Sequence, residues 1–130
     1  MSEIDRFVDA GNIKFKTVFR ESKYHVIRDK DTTGLFGDIT RLFYDAFAIG
    51  YHFKKQTPIG KNSINHVNLV SFDRDIATLM ATLVSKRSPT IKDPKELWKE
   101  VEAFAEYGIQ VLYEEWERKG ALDIDAILEK

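Results

Sequence analysis

Residues 93–120 read Asp-Pro-Lys-Glu-Leu-Trp-Lys-Glu-Val-Glu-Ala-Phe-Ala-Glu-Tyr-Gly-Ile-Gln-Val-Leu-Tyr-Glu-Glu-Trp-Glu-Arg-Lys-Gly. An acidic cap at Asp93, a proline at the first helical position and Glu96 at the third form a helix-start signal. Leu97, Val101, Phe104, Ala105, Gly108 and Leu112 then continue as one apolar face. The pattern runs from Pro94 to Lys119 and stops at Gly120, a helix of about 39 Å at 1.5 Å per residue. Gly108 falls inside it, which means either close packing against a neighbouring helix or a kink. Trp98 widens the apolar face beside Leu97 and Val101. Trp116, four residues past Leu112, extends the core; left exposed, it would be a partner-binding hot spot.

Two more helices follow from the same periodicity. Ile76, Leu79, Met80, Leu83 and Val84 form a stripe over 73–87, with Asp73 and Asp75 at its start and Lys86-Arg87 at its end, as the helix dipole favours. Ile39, Leu42, Phe43, Ala46, Phe47 and Gly50 form a stripe over 38–53, with Asp38 in the first turn and Gly50, Lys54 and Lys55 at the C-terminal end. The three helices are expected to pack around Phe43, Phe47, Leu79, Leu83, Val101, Phe104 and Leu112. Asp123 caps a last short helix, Ile124 to Leu128. Residues 13–19 alternate apolar and basic and pair naturally with 64–70, whose alternation slips at residue 67, so that a bulge or a loop fits there. Short helices are also readable around Ile4, Phe7 and Val8 and after Ser22. The fold class is mainly α, a single compact helical domain over 1–130 with a small two-stranded β element and 1–12 loosely attached.

Composition bounds the function. The chain has 130 residues, 43% of them hydrophobic and 12% aromatic, which excludes wholesale disorder. It has no cysteine, which excludes a disulfide framework, a thiolate zinc site and a cysteine nucleophile. No apolar run reaches the ~18 residues of a membrane span, and the charged N-terminus lacks a signal-peptide core. A cytoplasmic protein with no membrane partner is expected. Net charge is −1 but uneven: residues 14–61 hold ten basic and five acidic side chains, residues 93–130 five and eleven. The first half offers a basic face of Lys14, Lys16, Arg20, Lys23, Arg28, Lys54, Lys55 and Lys61, interleaved with Tyr24, Tyr51 and His52, on which duplex DNA would dock. The acidic helix, through Glu102 and Glu106, offers a docking face for a basic partner or for the basic half of a second copy, a homodimer. A solvated helix face accounts for the same residues.

Catalytic signatures are sparse. His25, His52 and His66 lack metal-ligand spacing, and neither a nucleophile elbow nor a phosphate-binding glycine loop occurs. Glu96/Glu100 and Glu102/Glu106 are i, i+4 carboxylate pairs without the Glu-x-x-His motifs of a dimetal bundle. No metal, cofactor or catalytic residue is assigned. A nuclease pairing one of the histidines with an aspartate is the remaining enzymatic reading.

One resemblance supplies a setting. The stretch from Gly34 to Pro58 has an acid-hydrophobic start at Asp38-Ile39, a small-residue end at Ala46-Phe-Ala-Ile-Gly50 and the pair Lys54-Lys55 before Pro58. It resembles the central segment of the small Dnd-system-associated protein 4 family, which accompanies bacterial DNA phosphorothioation gene clusters. Phe104 to Leu112 is similar to a second segment of that family and Asp123 to Leu128 to its tail, so the likeness spans roughly residues 15–130. Here Tyr107-Gly108-Ile109 departs from the family's small residue and second glycine. The resemblance implies a non-enzymatic accessory or adaptor protein of a phosphorothioation-type antiphage defence system, held by a larger defence protein with DNA reached indirectly. A small DNA-binding regulator using the basic face is the alternative.

Overall fold

The computed structural model describes residues 14–17, 39–58, 64–68, 74–91, 93–119 and 124–129, the two strands by their backbone course. In chain order the elements are β1 (Lys14–Thr17), α1 (Ile39–Phe53), β2 (Ile64–Asn68), α2 (Arg74–Arg87), α3 (Pro94–Lys119) and α4 (Ile124–Leu128). The architecture is mainly α-helical. β1 and β2 pair antiparallel, Lys14 opposite Asn68 and Thr17 opposite Ile64. Phe15 faces Val67 while Lys16 faces Asn65, so His66 is the extra residue of a bulge. The short helices read around residues 4–8 and after Ser22, and the capping roles of Asp38, Asp73 and Asp123, lie outside the described residues.

α3 is the axis of the fold. Its start follows the sequence signal: Asp93 supplies its carbonyl to the Leu97 amide at 3.0 Å, placing Asp93 at the cap and Pro94 at the first helical position. α1 lies antiparallel on α3, and their backbones touch. A methyl group built on Gly50 would overlap the Phe104 carbonyl, and one built on Gly108 would overlap the Ala46 carbonyl. The glycines therefore remove the side-chain spacer that normally holds helices 8–10 Å apart. Leu42, Phe43, Ile49, Val101, Ile109 and Leu112 close over both sides of this seam, fully buried. α2 ends in a turn over residues 88–91, ahead of α3, and packs on α3 with Ala77, Met80 and Val84. α4 buries Ile127 in the same core.

The end of α1 is a Schellman motif. The Lys55 amide bonds to the Gly50 carbonyl and the Lys54 amide to the Tyr51 carbonyl, both at 3.1 Å. The residue in the left-handed position is Lys54, with φ 57°, where glycine is the low-strain choice. Gly50, read from the sequence as part of the helix end, accepts the Lys55 bond there and is also a crossing residue three positions inside the helix. The chain beyond Lys54 straps back onto α3: the Thr57 amide donates to the Ala103 carbonyl at 3.0 Å. The Gln56 amide nitrogen donates to the Glu100 carbonyl at 3.2 Å and to the Glu100 carboxylate.

At a solvated helix position, Gly→Ala gains ~1 kcal/mol of helix propensity. At Gly108 the backbone overlap reverses the sign. Urea denaturation of Gly108→Ala is expected to show a loss of about 1–3 kcal/mol, and an increase in stability would contradict the contact. Lys54→Gly relieves the left-handed strain and is expected to gain about 0.5–1 kcal/mol, net of the extra freedom glycine gives the unfolded chain.

Candidate interaction surface

α1 and α2 both rest on α3 but make little direct contact with each other, which leaves a groove between them. Tyr44, Phe47, Ala48 and Tyr51 form one wall, and Ile76, Leu79, Met80 and Leu83 the other; His52 and Lys54 stand at one end. Its volume is about 480 Å³. Aromatic contacts tie the α1 wall to α3. Phe104 meets Phe47 edge-on at 5.9 Å and Tyr51 at 5.6 Å, and the Arg87 guanidinium lies 5.4 Å from its ring centre. The Tyr51 hydroxyl reaches the Leu83 carbonyl at 3.4 Å and bridges the two walls.

Leu79 was expected in the core but is 56% exposed, the exposed large apolar side chain among the described residues. The reason is that α2 faces α3 through Ala77, Met80 and Val84, which turns Leu79 toward the groove mouth. Leu83 is half-buried on the same wall.

The acidic docking residues are placed differently from the sequence expectation. Glu102 is 7% and Glu106 1% exposed, and both have partners within the fold, so neither belongs to a solvated face. Together with fully buried Trp98 they form an i, i+4, i+8 row along α3. A narrow apolar stripe made this row read as the wet side, whereas α3 is covered on more than one side. Trp116 is half-buried. Glu115 is also buried, held by Arg118 at 2.5 Å and Lys119 at 2.8 Å. Hydrogen bonds from Lys119 and then Arg118 hold its carboxyl down at about 2, below the ordinary 4.5, against the opposing effect of desolvation.

Of the basic candidates, Lys54 and Lys55 are exposed. Lys55 places its ammonium 5.8 Å from the Tyr107 ring centre. Lys14 and Lys16 stand in β1, and Arg20, Lys23, Arg28 and Lys61 lie outside the described residues, as do Tyr24 and His25. His52 is exposed and packs edge-on against Phe53 at 4.9 Å; His66 is the bulge residue of β2. Among the described residues no group of three or more His, Asp or Glu is placed to hold a metal ion. The Glu96 carboxylate pairs with Lys99 at 3.3 Å and Glu100 with Gln56, which separates the first carboxylate pair. No helix among the described residues is long and apolar enough to cross a membrane.

The Glu115 cluster has a defined pH signature. A depressed carboxyl contributes stability above its unfolded value near 4.5 and loses it as pH falls toward 2. Glu115→Gln is therefore expected to be less stable than the parent at pH 6 and to converge with it near pH 2. Parallel denaturation curves at every pH would contradict this.

Comparison with family models, with curated proteins and with solved structures finds no match to this chain.

Proposed function

We propose that this chain is a non-enzymatic accessory protein of a bacterial DNA-modification-linked antiphage defence system of the phosphorothioation type. It would work by being held against a larger protein of that system. The observation that carries the interaction role is the groove between α1 and α2, with Leu79 left open to water at its mouth. Burying a leucine is worth about 1.5–3 kcal/mol. An apolar surface of this kind beside aromatic walls is what a protein interface uses for its centre. The defence setting is supported by the resemblance of residues 34–58 and 104–112 to the Dnd-associated family. The docking surface moves from Glu102 and Glu106 to the opposite side of the pattern, the α1–α2 mouth.

A second reading, a small DNA-binding regulator, is favoured by one arrangement. The C-terminal ends of α1 and α2 meet through Tyr51 and Leu83 and share Phe104 as a neighbour of Tyr51 and Arg87, so the exposed His52, Lys54, Lys55, Lys86 and Arg87 belong to neighbouring helix ends. Asp93 and Glu96, exposed at the start of α3, reduce the positive field there.

The readings separate in one set of variants. Affinity capture of the tagged chain from its host is expected to recover a large protein of the modification or restriction machinery. Leu79→Asp should lower that recovery about tenfold, a loss of ~1.4 kcal/mol, and unchanged recovery would count against the adaptor role. A salt-sensitive shift of duplex DNA that disappears in Lys54→Glu/Lys55→Glu would favour the regulator instead.

A further inference from the structure

We infer that the α1–α2 groove receives a single amphipathic helix from a partner protein, apolar along one face and acidic in the turn that meets Lys54 and Lys86. The inference rests on the interaction role proposed for the chain and specifies the chemistry of the partner.

Shape is the first support. Two helices seated on a third, with few contacts between them besides the Tyr51–Leu83 bond, leave a trough lined by apolar side chains of both. Its volume of about 480 Å³ is enough for a row of side chains. A helix presenting apolar residues at i, i+3, i+4 and i+7 fills such a trough without leaving backbone polar groups unpaired. Leu79 at the mouth is positioned to cover the inserted side chains.

Charge is the second support. His52 and Lys54 line one end of the trough. Lys86 extends the α2 wall at that end, seven residues beyond Leu79 and three beyond Leu83, on the same helix face and exposed. Exposed Asp75 stands at the opposite end of α2. An incoming helix with glutamates against the lysines is attracted, while one with lysines there is repelled. The apolar walls favour a protein segment over a phosphate backbone.

Backbone strain is the third. Lys54 occupies a left-handed position at φ 57° where glycine is less costly, and it lines the groove. Strain kept at a ligand-facing residue is consistent with use of its side chain.

Fluorescence anisotropy on the full chain tests the inference with two labelled peptides of about four helical turns. Both carry leucines at i, i+3, i+4 and i+7. One has glutamates in its terminal turn and the other lysines. The acidic peptide is expected to bind at least about tenfold tighter at low salt, with the gap closing as salt rises. Leu79→Asp should abolish both interactions. Lys54→Gly, expected to be more stable than the parent, should retain apolar binding and lose most of the preference, so misfolding does not explain the change. Lys54→Glu/Lys86→Glu should reverse the preference.

Equal affinity for the two peptides, or binding indifferent to Leu79→Asp, would overturn the assignment. So would a concentration-dependent dimer by light scattering that Leu79→Asp dissolves, because the groove would then belong to a second copy. The underlying interaction role fails separately. If the peptide preference holds while no partner is captured from the host, the groove assignment stands and the role falls. A captured partner that ignores Leu79 and Lys54 gives the reverse.

Discussion

Backbone meets backbone where α1 crosses α3, and the placement of the other helices depends on that contact. Two glycines make it, Gly50 under the Phe104 carbonyl and Gly108 under the Ala46 carbonyl. The pairs are reciprocal, each helix giving one glycine and one carbonyl, which fixes both the antiparallel direction and the axial register. Displacing either helix by one turn would bring a side chain into a space that holds only a hydrogen. Close carbonyl approach also permits weak Cα–H···O contacts, a secondary contribution beside the dispersion gained by tight packing.

The groove is the geometric complement of this seam. α1 sits deep on α3, while α2 approaches α3 through Ala77, Met80 and Val84 without a glycine notch. α1 and α2 therefore reach the same support at different depths and leave the mouth lined by Leu79 between them. Phe104 joins the two regions. Its backbone receives Gly50, and its ring carries Phe47, Tyr51 and the Arg87 guanidinium. One residue thus takes part in the helix crossing and backs two side chains of the proposed binding surface.

The three long helices were legible in the sequence because each stripe spans three turns or more. Expected ranges of 38–53, 73–87 and 94–119 compare with Ile39–Phe53, Arg74–Arg87 and Pro94–Lys119. Gly108 was legible as a contact or a kink, and the uninterrupted α3 decides for contact. The partner of Gly108 was not legible, since periodicity ranks faces but does not match them. Leu79 and Glu106 show the same gap in opposite directions. Both were read from hydropathy, leucine inward and glutamate outward, yet burial follows from which neighbour a face meets. The Ala46/Gly50 spacing opposite Phe104/Gly108 was the available signal for the crossing. Leu79, one position from the Met80 that faces α3, carried no comparable mark.

The seam has a kinetic side. α2 and α3 are joined by a short turn, so their contacts close a small loop and can form early. The Gly50–Phe104 and Ala46–Gly108 contacts close a loop that contains all of β2 and α2, and such closure costs more chain entropy. The crossing residues themselves, Ala46, Gly50 and Gly108, have no rotamers to lose, while Leu42, Phe43 and Ile49 are ordered as α1 arrives. Docking of α1 therefore bears both the closure of that long loop and the ordering of its buried side chains. On these grounds the α2–α3 hairpin is the natural template, and the approach of α1 is the step that sets the pace of folding.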